Sequence, residues 1–310
     1  MTTAQTREPS RDLAARREPG RSHGRPISDP RTRGRGRRRI GRWAQTLVLG
    51  ALGLLWIYPL LWVLAASFKD SLDIFSGGLG LLPDSWHPEN YLRAWRDANF
   101  SGYMLNTVLI TAGSIVLVVV RCAMAGYVIA RFRFLGRRAV LAVLVATMFI
   151  PTGLFVVPVV ELSDLLGLLN TRTGLVLAIA GGGNVAAVLL YVGFFSRVPK
   201  ELEEAAVMDG AGFLRVFFRI MLPLSGPVTA TVVVLTFLSS WNNFFLPLVF
   251  TFSTPQNRTL AVGMMAFQGT NSTDWAGLAA AASISLVPIV LLFLLLQRYF
   301  VEGIAGAVKN

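Results

Sequence analysis

The densest run of chemistry-bearing side chains lies between Ser196 and Leu224. Pro199 suits a first helical turn. Glu201, Glu203 and Glu204 follow it, where unpaired N–H groups at a helix start favour acids. Leu202, Ala205 and Ala206 supply a small apolar face beside Asp209, and Gly210 and Gly212 let the chain turn out of the helix. An amphipathic run from Phe213 to Met221 carries Arg215, Arg219 and Ile220 and leads into Leu222 and Pro223. The residue types for bond chemistry are missing. Cys122 is the single cysteine and His23 lies far from His87, which argues against a disulfide or a metal site. None of the three lysines (Lys69, Lys200, Lys309) ends a glycine-rich phosphate loop.

Three further polar residues stand inside apolar stretches. Arg121 is the one cation well inside such a stretch, where a central charge costs about 2.5–3.5 kcal/mol on insertion scales. It should face a water-filled cavity or a partner subunit, either along a solute path or as a structural pair. Asn242 and Asn243, beside Trp241, suit the hydroxyls and ring faces of a sugar, although asparagine also bonds helix to helix in membranes. Gly181-Gly182-Gly183 marks either a kink or a close helix–helix approach, of which close approach is preferred.

The elements that position these residues follow from composition. Hydrophobic residues make up 54% and charged residues 15% of 310, whereas a soluble domain carries about 25% charge. Mean hydropathy is +0.57. The chain belongs in a bilayer. Six stretches of about 20 apolar residues, near 44–66, 105–130, 139–160, 174–195, 226–250 and 277–299, predict an all-α integral membrane protein with six transmembrane helices. Gly167 and Asn170 turn the chain between the third and fourth. With the amino terminus inside, the inner segments hold 23 of the 29 basic residues and the outer ones 5, so both termini should be cytoplasmic. The 67–104 segment is then external and the 196–224 loop cytoplasmic. Residues 1–43 hold 13 arginines and no lysine, with four prolines and little apolar surface. They predict a disordered tail that touches anionic lipid headgroups rather than nucleic acid.

Glu204-Ala205-Ala206, Gly210, Ile220 and Leu222-Pro223, at this spacing, resemble the EAA loop of ABC importer permeases. Tyr58-Pro59-Leu60, Ser67-Phe68-Lys69, Trp86-His87-Pro88-Glu89-Asn90-Tyr91, Trp241-Asn242-Asn243-Phe244 and the Gln297–Gly303 ending are similar to the maltose-type carbohydrate branch. The likeness runs over most of 44–310. Asp70, Gly181–Asn184 and Arg121 depart from it.

The resemblance implies a type I permease fold in a bacterial cell membrane, with no catalytic residue, no cofactor and no metal. It implies that the 196–224 loop forms a short coupling helix docking on a separate ABC ATPase. Ala205 and Ala206 would permit close approach, Glu204 would meet a basic partner, and Gly210 would supply the bend. The other implied partners are a second homologous permease and an external sugar-binding protein. Arg121, Asn242 and Asn243 are candidates for the translocation path of a sugar or oligosaccharide. A permease for glycerol phosphate or a polyamine is one alternative, though a phosphate ester would want more cations than Arg121 alone. A membrane scaffold that recruits partners through its basic tail is another.

Overall fold

The computed structural model describes residues 33–307 apart from 77, 79, 97, 98, 270 and 271, with the side chains of 33–42, 44 and 298–307 left out of the description. Among the described residues the secondary structure is helical, with one isolated antiparallel bridge between Gln268 and Thr273. The tail expectation falls partly outside the described residues, since it concerns 1–43. Its last part is helical: the first helix, α1, runs Arg33–Ala66, starting ten residues or so before the predicted span. No proline interrupts the chain between Pro30 and Pro59, and arginine is a good helix former.

After α1, residues 67–99 form a compact knot around α2 (Glu89–Arg96). The buried Asn90 amide donates to Ser67 O and Lys69 O, both at 3.0 Å. Phe68 packs between Trp86 and Tyr91, with ring centroids 5.4 and 5.1 Å away. The Ser-Phe-Lys and Trp-His-Pro-Glu-Asn-Tyr runs are therefore two halves of one structural unit.

The bundle is built around α3 (Phe100–Arg131), about 48 Å long at 1.5 Å per residue. Gln45–Ala66, Phe100–Arg131 and Trp275–Gln297 are each long and apolar enough to cross a membrane, and the total reaches six if each bent helix pair forms one span. The third predicted span is such a pair, α4 (Arg137–Thr147) and α5 (Val156–Leu165), bent by 101° with a 3-10 turn between. Pro151 causes the break, because the residue before a proline is pushed out of the helical region.

The fourth predicted span divides into α6 (Arg172–Gly181) and α7 (Val185–Phe195), bent by 57°. Thr171 caps α6 by accepting from Gly174 N–H at 2.9 Å. Gly167 and Asn170 both take positive φ in the turn before it. The preferred reading of the triple glycine is overturned. A Cβ on Gly181 or Gly183 would meet nothing within 4 Å, and Gly182 is extended. These glycines break a helix instead of letting one approach another.

Past the 196–224 loop, which includes the short helix α8 (Glu201–Met208), comes α9 (Gly226–Trp241). The fifth predicted span, 226–250, was read as continuous. The helix stops at Trp241, residues 242–244 are non-helical, and α10 (Phe245–Phe250) resumes. The last helix, α11, spans Trp275–Ala307.

Close approach occurs elsewhere, where α3 packs on α7. A Cβ on Gly126 would stand 2.5 Å from the Tyr191 Cβ and 3.1 Å from the Val192 backbone nitrogen. One core sits at this end of α3, around Tyr127, Tyr191, Phe195, Phe217 and Met221. Another sits at its opposite end, around Phe100, Tyr103, Phe237, Trp241 and Leu260. Large apolar side chains such as Phe149, Leu154 and Val157 remain exposed, as a surface facing lipid or partner subunits requires.

Candidate functional site

The 196–224 loop folds from its own sequence into a helix, a left-handed turn and a second helical run. In α8, Glu203 and Glu204 N–H both bond to Lys200 O. The helix ends at Asp209, where Gly210 takes φ +79° and Ala211 N–H returns to Ala206 O at 2.9 Å. Only glycine adopts that conformation without strain. The second run continues through Phe213–Val216 and a π-turn over Phe217–Met221 to Leu222–Leu224. It then bends by 80° into α9. The buried Ser225 holds the bend: its hydroxyl donates to Leu222 O and meets Thr229 Oγ1, which accepts from the Tyr191 hydroxyl.

Burial divides the predicted residues into two sets. Ala206 is buried, while Ile220 and Leu222 are half-buried against the core at this end of α3. Glu204, Ala205, Asp209, Gly210 and Pro223 are exposed. At 100° per residue, Glu201, Glu204, Ala205 and Met208 share one face of α8, and Met208 is 87% exposed. The apolar face expected from Leu202, Ala205 and Ala206 is not the buried one, because Leu202 and Ala205 are exposed and Glu203 turns inward with Ala206. The free face thus offers two carboxylates, a methyl and a thioether.

Glu203 was not singled out from sequence. Its carboxylate forms an ion pair with Arg131 at the end of α3 and accepts from the Tyr127 hydroxyl at 3.1 Å. Arg131 also donates to Val198 O at 2.6 Å and to Pro199 O at 3.3 Å. Three glutamates within four residues offered no sequence signal for which one turns inward.

The path candidates separate. Arg121 lines a cavity of about 750 Å3 between the broken pairs α4–α5 and α6–α7. Asn243 lines an adjoining one of about 430 Å3, and Thr152, Gly182, Gly183 and Asn184 border both. Asn242 lines neither; its side-chain amide donates to Leu238 O of its own helix at 2.9 Å. Among the described residues no carboxylate forms an ion pair with Arg121. Asn184 and Thr152 were missed as lining residues, although the glycines beside Asn184 carried the signal for an opened backbone.

With this geometry in view, comparison with known proteins decides the family. Residues 122–306, which include the whole loop, match the family of binding-protein-dependent transport system inner membrane components. The chain belongs to this family. Such a component is a translocation subunit of the bacterial inner membrane and not an enzyme; it works with a substrate-binding protein and with an ATPase carried on a separate subunit.

The chain is 40% identical over 254 residues to a probable ABC transporter permease, YurM, of Bacillus subtilis, covering 82% of this chain and 84% of that one. It is 39% identical over 267 residues to the diacetylchitobiose uptake system permease NgcG of Streptomyces coelicolor, covering 84% and 86%. It is 36% identical over 272 residues to the melibiose/raffinose/stachyose import permease MelC of Bacillus subtilis, covering 86% and 96%. The fold matches a chain of a bacterial ABC transporter involved in import of the acidic polysaccharide alginate, with a TM-score of 0.72 at 24% identity, covering 84% and 97%. The permease therefore has the helical ABC importer fold expected from sequence.

Proposed function

We propose that this permease moves a sugar or oligosaccharide inward, paired with a second homologous permease, and that an ATPase docks on the free face of α8. The observation that carries the docking reading is the division within the loop. Ala206, Ile220 and Leu222 hold the loop to the bundle, while Glu204, Ala205 and Asp209 are left exposed for a partner. Relatives named for diacetylchitobiose, for melibiose, raffinose and stachyose, and for trehalose support the carbohydrate class. In this reading both termini and the 196–224 loop are cytoplasmic, the 67–104 segment is external, and the arginines of residues 1–43 lie against anionic lipid.

The path is proposed to run through the adjoining cavities lined by Arg121 and Asn243. Their shared Thr152 offers a hydroxyl and Asn184 its amide oxygen, the Asn184 NH2 being donated to Ala180 O and Gly182 O, as partners of the kind a sugar needs. Arg121→Ala should leave the complex assembled and lower uptake roughly tenfold, the loss of one charged hydrogen-bonding contact. Unchanged uptake at full assembly would remove Arg121 from the path. Uptake of labelled trehalose, melibiose, raffinose and diacetylchitobiose, in cells lacking the chain and in complemented cells, tests the substrate class. Loss and recovery of uptake for at least one is the expected result. Loss for glycerol phosphate or a polyamine alone would contradict it.

A further inference from the structure

A docked ATPase must move more than a loop, and the structure holds a defined attachment between α8 and the bundle. Glu203 lies opposite the exposed face of α8, with its side chain 17% exposed and that of Arg131 6% exposed. Arg131 reaches both the Glu203 carboxylate and the carbonyls of Val198 and Pro199, so it grips α8 and the chain entering it. The Tyr127 hydroxyl holds the other carboxylate oxygen, and its ring contacts Phe132, Phe195, Phe213 and Phe217 at 5.5–5.8 Å. The end of α3, the end of α7, α8 and the helical run after it thus meet at one charged and aromatic joint. An ion pair this enclosed, with a further hydrogen bond on each side, is costly to break from one side only.

We infer that Glu203, Arg131 and Tyr127 are positioning residues that transmit movement of α8 into α3, distinct from the residues that bind the ATPase. The inference rests on the proposed docking of an ATPase at this loop. Its second support is the course of α3. Arg121 lies ten residues before Arg131 on the same unbroken helix, about 15 Å along its axis. A displacement of α8 carried by the joint therefore reaches the wall of the larger cavity through a single rigid element. By contrast α5, α6 and α10 are separated from this end by helix breaks that would absorb it.

The test uses the assembled complex in lipid, without needing the transported solute. Cys122 is replaced by Ala, Gly182→Cys is introduced at the cavity border, and labelling by a water-soluble maleimide is followed with and without ADP and vanadate. With the native joint, the nucleotide should change the labelling rate. Glu203→Gln and Arg131→Gln should still co-purify with the ATPase, while the nucleotide-driven change shrinks by roughly two- to thirtyfold. Tyr127→Phe should do so less. The reversed pair, Glu203→Arg with Arg131→Glu, should recover part of the response lost in either single reversal. A full nucleotide response in Glu203→Gln overturns the inference. Loss of the ATPase in that variant also overturns it, by making Glu203 a docking residue. Failure of the native complex to hold any ATPase overturns the docking reading and this inference with it.

Discussion

Glu204→Lys and Gly210→Pro should each leave a full-length chain in the membrane and abolish ATP-driven uptake. The two act by different physics. The Glu204 side chain is exposed and forms no ion pair among the described residues, so its replacement should cost no more than about 1 kcal/mol, the worth of an acid in a first helical turn. What it reverses is the charge on the free face beside Ala205 and Met208. Gly210 carries φ +79°, and its N–H bonds to Val207 O at 2.9 Å. Proline fixes φ near −65° and has no N–H, so the chain cannot leave α8 in the observed direction. Uptake in whole cells, with membrane content measured beside it, checks both. Normal transport by either variant at normal content counts against the coupling role.

The second large effect concerns the packing of α3 on α7. Gly126→Ala puts a methyl 2.5 Å from the Tyr191 Cβ and against the backbone of α7. Neither neighbour can rotate away, so the helices must separate, and overpacking of this kind costs about 1–3 kcal/mol. The joint around Tyr127 lies one residue further on, so the separation should also lower transport. Gly193→Ala, also on α7, has nothing within 4 Å and serves as the control. Thermal unfolding of the detergent-solubilised complex should show a lowered midpoint for the first variant and none for the second. Equal midpoints would contradict the close approach.

Much of this was legible because polar residues in an apolar chain are conspicuous. The helix of the 196–224 loop announces itself by its glutamates and ends at glycine, and the turn before α6 by Gly167 and Asn170. The break at Pro151 likewise has its cause in the sequence. The break after Trp241 was missed, although Pro247 has no N–H to give the Asn243 carbonyl four residues earlier and its ring crowds that carbonyl. The triple glycine was misread because a stripe of small residues says that a Cβ is missing, not what stands opposite. Gly126, with an ordinary apolar context, is where the close approach occurs. The Glu203–Arg131 pair joins residues 72 positions apart, and helical periodicity carries no record of such a meeting. Asn242 and Asn243 looked equivalent in sequence; the break turns one toward a cavity and leaves the other bonded to its own helix.

The central claim is that this permease engages an ATPase through the free face of α8. Its most direct test is capture of the tagged chain in mild detergent, wild type beside Glu204→Lys, with the bound proteins identified by mass spectrometry. The account predicts an ATPase and a second permease with the wild type, and loss of the ATPase alone with the variant. Equal recovery of the ATPase with both would contradict it.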